Sequence, residues 1–131
     1  MQVSGKTILL TGGTDGIGRE LAAQLKVKGA EVIVTGRTPE RIAAAKSAGF
    51  ETIASDLSSK AGVDAILTAV VGREIDILIN NAGVGSDHDF REAAPDLDDN
   101  DRSIHANLNA PIHLIALWQT RRRAQQGAGV A

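Results

Sequence analysis

Apolar residues fall into two kinds of segment that alternate along the chain. Four short runs, in which most positions are apolar, predict strands that are buried on both faces of a parallel sheet. These runs are residues 7–10, 31–35, 50–54 and 75–79. Each of the first three runs is followed by a longer stretch with the spacing of an amphipathic helix, and the fourth runs into NNAG and a loop that contains Pro95 before a final helix.

The helical segments carry apolar residues at steps of three or four. In the first segment, Ile17, Leu21 and Leu25 recur every four residues, and Pro39 opens the second segment. The third has the clearest period, with an apolar face made of Val63, Ile66, Leu67, Val70 and Val71. Glycines mark the expected helix ends, at Gly29, Gly49 and Gly72.

Residues 96–126 predict one long final helix, with acidic residues near its start and arginines near its end, as the macrodipole favours. Its apolar residues cover two sides. One stripe consists of Ile104, Leu108, Ile112 and Ile115, and the second side is formed by Ala110, Leu114, Leu117 and Trp118. We therefore expect it to contact both the sheet and another surface. Pro111 predicts a kink unless local contacts compensate.

This alternation predicts an α/β fold, a Rossmann-type doubly wound parallel sheet of about four strands in the order 3-2-1-4, with helices on both faces. We expect a single domain over residues 1–131, with a frayed tail at about 127–131. The strand at 75–79 would be an edge strand with unpaired backbone groups beside exposed apolar helix surface. We therefore expect self-association into a homo-oligomer, or marginal stability.

Composition excludes several classes of partner. The 14 basic and 16 acidic residues give a net charge of -2, which provides no general attraction for nucleic acid or an anionic membrane. No segment reaches the roughly 18 apolar residues that a membrane span needs, and there is no cysteine. We expect a cytoplasmic protein. No metal site is predicted, because the acidic run at 96–101 fits a helix start better than a calcium loop.

The stretch TGGTDGIG, residues 11–18, lies between the first strand and the first helix. That context favours a phosphate cradle. Gly12 would permit a tight turn, Gly16 would let the backbone approach a pyrophosphate, and Gly18 would allow close helix packing. Free N–H groups and the helix dipole would then attract the anion. The alternative is an ordinary strand-to-helix loop.

Several motifs together resemble the short-chain dehydrogenase/reductase family over residues 6 to about 118: the glycine loop, Asp56-Leu57, NNAG at 80–83 and Asn107 in HANLNAP. The resemblance implies NAD(P)-dependent oxidoreduction of a carbonyl or alcohol. It also implies a homodimer as the first expectation for assembly, because the long helix commonly lies at a dimer interface in this family. It places Thr11, Gly12, Thr14, Asp15, Gly16, Ile17 and Gly18 around the pyrophosphate, Asp56 and Leu57 at the adenine, and Asn81, Ala82 and Gly83 near the nicotinamide-side ribose. It implies that Asn107 helps to hold a water in a proton relay; the alternative is a polar helix residue with a local hydrogen bond.

The choice of cofactor depends on the end of the second strand. An acidic residue there would accept from both ribose hydroxyls of NAD and repel a 2′-phosphate. This chain has Gly36 and Arg37 instead, and a guanidinium pairs well with phosphate. We therefore expect NADP, with NAD as the alternative. Asp15 argues the other way, because some NADP-preferring relatives carry a base at that position, and Arg37 as a solvated surface residue remains the other interpretation.

The chain departs from the family pattern at the catalytic residues. The resemblance implies a strand serine and a Tyr-x-x-x-Lys pair after Trp118, with the tyrosine transferring the proton. The chain has no tyrosine, no serine after Ser103 and no lysine after Lys60. We therefore expect it to bind the cofactor but to be inactive alone, with a small-molecule substrate only if it is completed. The alternatives are a non-catalytic dinucleotide-binding module and an interaction fragment completed by another chain.

Overall fold

A computed structural model describes residues 2–83 and 105–128, which form a parallel sheet with helices on both faces. In chain order the elements are β1 (Thr7–Thr11), α1 (Gly16–Val27), β2 (Glu31–Gly36), α2 (Pro39–Ser47), β3 (Glu51–Ala54), α3 (Lys60–Ala69), β4 (Ile77–Asn80), a π-helical turn (His105–Asn109) and α4 (Ala110–Ala128). The four strands lie in the order β3-β2-β1-β4. The predicted fold class and strand order are confirmed.

β1 lies inside the sheet and separates two hydrophobic clusters. Leu9 pairs with Ile33 of β2 on one side and with Leu78 of β4 on the other. Its side chain belongs to the cluster under α3 and α4, whereas its neighbours Ile8 and Leu10 belong to the cluster under α1 and α2. Side chains of a strand alternate between faces, so β1 needs apolar residues throughout, as the continuous run predicted.

Two apolar residues differ from their predicted burial. Ile17 is 82% exposed and Val71 is 65% exposed. Because α1 begins at Gly16, Ile17 lies in its first turn at the end of the sheet, and the helix packs through Gly18 and Ala22 instead. Val71 follows Val70, the C-cap of α3, so it no longer follows the helical period.

Within the residues described, the last helix has a buried side and an exposed side, but Leu117, predicted beside Ala110 and Leu114, is 39% exposed. Ala110 and Leu114 are buried against the sheet, and the Trp118 indole N–H donates to the Ile75 carbonyl at 3.0 Å. The exposed stripe is formed by Leu108, Ile112 and Ile115. Residues 96–104, where the helix was predicted to begin and where the acidic run and Ile104 lie, are outside the described residues.

The backbone adapts to Pro111 just before α4. Residues His105–Asn109 form a π-helical turn, and Pro111 follows as the second residue of the α-helix. Proline has no N–H to donate and crowds the preceding turn, and a wider π-turn is one way in which a helix accommodates such a break. Between residues 2–83 and 105–128, no helix has both the length and the apolar character that crossing a lipid bilayer requires.

Candidate functional site

The carboxyl ends of all four strands meet at one cleft. Strand ends of an open α/β sheet are where such folds bind ligands, because the connecting loops diverge there. Of the residues predicted for a cofactor site, those that line this cleft are Gly12, Thr14, Asp15, Arg37, Asp56, Leu57, Asn81, Ala82 and Gly83. The topology has therefore brought together residues that are up to 71 positions apart in the chain.

The glycine loop packs tightly against the loop after β4. Gly12 has φ +70°, and a Cβ there would lie 2.8 Å from the Ala82 Cα. A Cβ on Gly18 would lie 2.2 Å from the Gly12 carbonyl oxygen and 2.4 Å from Asn81 Nδ2, which itself donates to that carbonyl at 3.2 Å. Glycine is therefore required at both positions for the two loops and α1 to approach each other.

Gly16 and Ile17 are the first two residues of α1 and lie outside the set that lines the cleft. Gly16 has φ +53°, and no atom lies within 4 Å of where its Cβ would be. Ile17 is the most exposed apolar residue of this loop, at 82%. The backbone at the beginning of α1 therefore faces open space.

Thr11 has a supporting position beneath the cleft. It is 1% exposed, and its Oγ1 accepts hydrogen bonds from the N–H groups of Asn81 and Ala82, both at 3.1 Å. These contacts join the end of β1 to the loop after β4. Thr11 thus connects two walls of the cleft from beneath it.

Asp15 is the N-cap residue of α1, yet its carboxylate makes no capping hydrogen bond. It instead forms an ion pair with Arg41 of α2, with 2.9 Å between Oδ2 and Nη1. Both side chains are more than half exposed. The ion pair spans the cleft from the glycine loop to the first turn of α2.

The end of β2 forms the wall beside Arg37. Gly36 is buried, and a Cβ there would lie 2.3 Å from Thr14 Oγ1, so the glycine loop rests directly on this strand. Arg37 is exposed and lines the cleft with Thr38, the N-cap of α2. This wall carries a guanidinium and no carboxylate.

Hydrogen bonds shape the loop after β3. The Asp56 Oδ1 atom accepts from the backbone N–H of Ser58 at 2.9 Å and from its hydroxyl at 2.6 Å. The Ser59 hydroxyl caps α3 by accepting from the Gly62 N–H at 3.3 Å. This turn places Leu57, which is 5% exposed, in the wall of the cleft.

Asn107 lies in the π-helical turn at the far end of the cleft without lining it. It is exposed, and a Cβ on Gly83 would lie 2.8 Å from its Oδ1. The neighbouring His105 Nδ1 lies 2.9 Å from the Leu57 carbonyl oxygen, so its N–H donates there. This turn is therefore attached to the loop after β3 and borders the loop after β4.

Sequence reasoning missed several residues of the cleft: Thr35, Gly36, Thr38, Arg41, Ser55, Ser58 and Ala106. Arg41 could have been predicted from the sequence as a residue of the cleft, because it carries a charge. It lies one helical turn after Arg37 in a segment that Pro39 marks as a helix start, which places both at the same end of the sheet.

Two further observations concern charged and metal-binding side chains. Within residues 2–83 and 105–128, no group of three or more histidine, aspartate or glutamate side chains is arranged to hold a metal ion. Away from the cleft, the Glu51 carboxylate raises the pKa of the Arg73 guanidinium through a direct hydrogen bond. This pair joins the start of β3 to the segment before β4.

The parallel sheet, the glycine loop and the cleft at the strand ends define a Rossmann-type domain. The family model described as short chain dehydrogenase matches residues 6–130. The chain therefore belongs to the short-chain dehydrogenase family, as its motifs predicted.

Relatives and solved structures agree with this assignment. The chain is 33% identical over 134 residues to the uncharacterized oxidoreductase DltE of Bacillus subtilis (strain 168), covering 99% of this chain and 53% of that protein. A blue fluorescent protein from a metagenomic library, solved in complex with NADPH, has a TM-score of 0.75 and 27% identity, covering 92% of this chain and 52% of its own. L-Sorbose reductase from Gluconobacter frateurii, complexed with NADPH and L-sorbose, has a TM-score of 0.74 and 27% identity, covering 92% and 51%. The chain thus spans about half the length of these proteins.

Proposed function

We propose that the cleft binds NADP(H) and that this chain is the cofactor-binding part of an NAD(P)-dependent oxidoreductase. The observation that carries the proposal is the start of α1. Its glycine loop faces the cleft, and the N-cap Asp15 leaves the first turn of the helix uncapped. Uncapped N–H groups at a helix N-terminus are donors to an anion such as a pyrophosphate.

The proposed contacts follow the order of the strands around the cleft. Gly12, Gly16 and the first-turn N–H groups of α1 would hold the pyrophosphate, and Arg37 would face the 2′-phosphate. The adenine would lie between the glycine loop and Asp56-Leu57, since these line the same cleft. The second ribose would contact Asn81, Ala82 and Gly83, whose loop Thr11 supports. The nicotinamide side would be bordered by Ile17 and Asn107.

The preference for NADP(H) rests on the charges beside β2. Arg37 offers a guanidinium where an acidic residue would repel a 2′-phosphate. Asp15 argued for the opposite preference in the sequence, but its carboxylate is paired with Arg41. The pairing offsets its negative charge. Two structural neighbours whose complexes contain NADPH support the same choice.

Turnover is proposed to need residues beyond these 131. The cofactor would supply a hydride to a carbonyl or accept one from an alcohol, and the family resemblance implies a tyrosine as the proton donor. The chain contains no tyrosine, and Asn107 has an amide that does not exchange a proton with substrate at neutral pH. We therefore expect binding without turnover, and a small-molecule substrate only in a completed protein.

Titration with NADPH and NADH, followed by the fluorescence of the reduced nicotinamide, tests this proposal. We expect both to bind and NADPH to bind more tightly.

The variant Arg37→Gln tests the preference for NADPH. It should weaken the affinity for NADPH by about tenfold, since one charge-assisted contact is lost, and should leave the affinity for NADH unchanged. Arg123→Gln, an exposed site on α4, is the matched control. Failure of both cofactors to bind at millimolar concentration would instead favour an interaction fragment.

A second proposal concerns assembly, and the exposed stripe of α4 favours it. Ile112 and Ile115 on the helix are 55% and 45% exposed, and Leu108 in the preceding π-helical turn is 54% exposed. Contiguous exposed apolar surface of this kind is typical of an interface. We infer that the chain forms a homodimer through α4. Sedimentation at micromolar concentration should show the dimer, whereas a monomer that melts cooperatively would contradict it.

A further inference from the structure

Asp15 occupies the position of a helix cap without acting as one. Aspartate is a preferred N-cap residue because its carboxylate accepts a hydrogen bond from the second or third N–H of the helix. The backbone of Asp15 is extended, with φ -149° and ψ 158°, as an N-cap residue requires. Nevertheless its carboxylate makes no such bond and lies 2.9 Å from Arg41.

The position of Arg41 does not stabilise its own helix, α2. It is in the first turn of α2, where the positive end of the macrodipole disfavours a cation. It is also 54% exposed, so burial does not account for its conformation. The contact that this position does provide is the one with Asp15, across the cleft.

We infer that Arg41 is a positioning residue that keeps the Asp15 carboxylate away from the N-terminus of α1. This inference rests on the proposed function, because it concerns access of the pyrophosphate to that N-terminus. With Arg41 in place, the Asp15 carboxylate does not cap the N–H groups of Ile17 and Gly18. Without it, the carboxylate swings onto those N–H groups as an ordinary cap, where it occupies the anion site.

The two arrangements of Asp15 are close in energy. An exposed ion pair and an N-cap hydrogen bond make contributions of similar, small size. A single substitution at Arg41 is therefore enough to change which partner the carboxylate selects. The proposed role of Arg37 differs from that of Arg41, because its partner would be the 2′-phosphate, which NADPH carries and NADH lacks.

The first test measures the affinity of the 131-residue protein for both dinucleotides. Arg41→Gln should weaken NADPH and NADH alike, by about fivefold, which corresponds to about 1 kcal/mol. Arg41→Lys keeps a cation for Asp15 and should preserve affinity. The double variant Arg41→Gln/Asp15→Ala should restore it, since no carboxylate remains to cap α1.

Two outcomes of this titration would overturn the inference. A loss confined to NADPH would make Arg41 a direct ligand of the 2′-phosphate. A double variant as weak as Arg41→Gln would show that the lost positive charge, and not the freed carboxylate, is responsible.

A second readout needs no dinucleotide. In amide NMR spectra of the ligand-free protein, Arg41→Gln should move the Ile17 and Gly18 N–H resonances toward hydrogen-bonded values, and adding Asp15→Ala should move them back. If wild-type protein binds neither cofactor, the proposed function fails while this measurement still decides the role of Arg41. Unchanged amide resonances in Arg41→Gln would overturn the inference even if binding were weakened.

Discussion

The two strands beside β1 have similar apolar sequences and very different surroundings. In β2, residues 32–36 are all buried, whereas every residue of β4 is only half-buried. Both strands pair with β1 in parallel register. β2 has β3 beyond it, and β4 is the edge of the described sheet. The difference shows that the burial of a strand is set by its neighbours as much as by its hydrophobicity.

The charged residues of the cleft lie on one side of this division, although Asn81, Ala82 and Gly83 after β4 also line the cleft. The glycine loop, Arg37 and Arg41 lie on the packed side, around the ends of β1 and β2. The open side carries β4 and the exposed stripe of α4. A packed flank with the charged residues of the cleft and an open flank with exposed apolar side chains therefore share one central strand.

The largest expected effect on stability comes from replacing two isoleucines that are register partners on β1 and β4. Ile8 of β1 is 0% exposed and is the register partner of half-buried Ile77 of β4. We expect Ile8→Ala to lower the free energy of unfolding by about 4 kcal/mol and Ile77→Ala by about 2 kcal/mol, because less cavity is left at the edge. Urea unfolding measures both. Equal losses would mean that β4 is covered in solution.

The packing of the glycine loop is tested by Gly18→Ala. The added Cβ would meet the Gly12 carbonyl at 2.2 Å, and backbone atoms have little room to move. We expect a loss of about 3 kcal/mol, as for overpacked cores, together with weaker dinucleotide binding. Gly72→Ala is the control, since its φ is positive but its surroundings are open; it should cost only about 1 kcal/mol. Similar losses for both variants would contradict the role assigned to close packing.

The link between the two flanks is tested by Thr11→Val. This change keeps the shape but removes the acceptor for the Asn81 and Ala82 N–H groups. We expect a loss of about 2 kcal/mol, because both donors are left unsatisfied, measured by thermal or urea unfolding. Thr68→Val, at an exposed site on α3, should change stability by less than about 0.5 kcal/mol. A neutral Thr11→Val would show that water replaces the hydroxyl.

The smallest effect on stability is expected on the open flank. The double substitution Ile112→Lys/Ile115→Lys places two charges on the exposed stripe. Unfolding free energy should change by no more than about 0.5 kcal/mol, while sedimentation should show dissociation to monomer. Gln119→Lys, an exposed polar site on the same helix, should leave assembly unchanged. A dimer that survives the double substitution would place the interface elsewhere.

Strands and helices were largely readable from the sequence because their periods are properties of consecutive residues. The four strands and their order were predicted, with β4 beginning at Ile77 and not at 75, where the Ile75 carbonyl accepts from Trp118. The exposure of Ile17 was not predicted, because it depends on where α1 begins relative to the sheet. The site assignments stay predictions that the titrations above will decide.

The sequence by itself determined the alternation of strands and helices, the glycine loop between β1 and α1, the family and the absence of a tyrosine. These follow from local spacing and from residue identity. Only the tertiary structure decided that Asp15 turns to Arg41 instead of capping α1, that Thr11 supports the loop after β4, and that β2 is buried while β4 is half-exposed. The physical reason is that the side-chain contacts among these join residues from 26 to 71 positions apart, whose meeting depends on how the sheet is assembled and not on any local pattern.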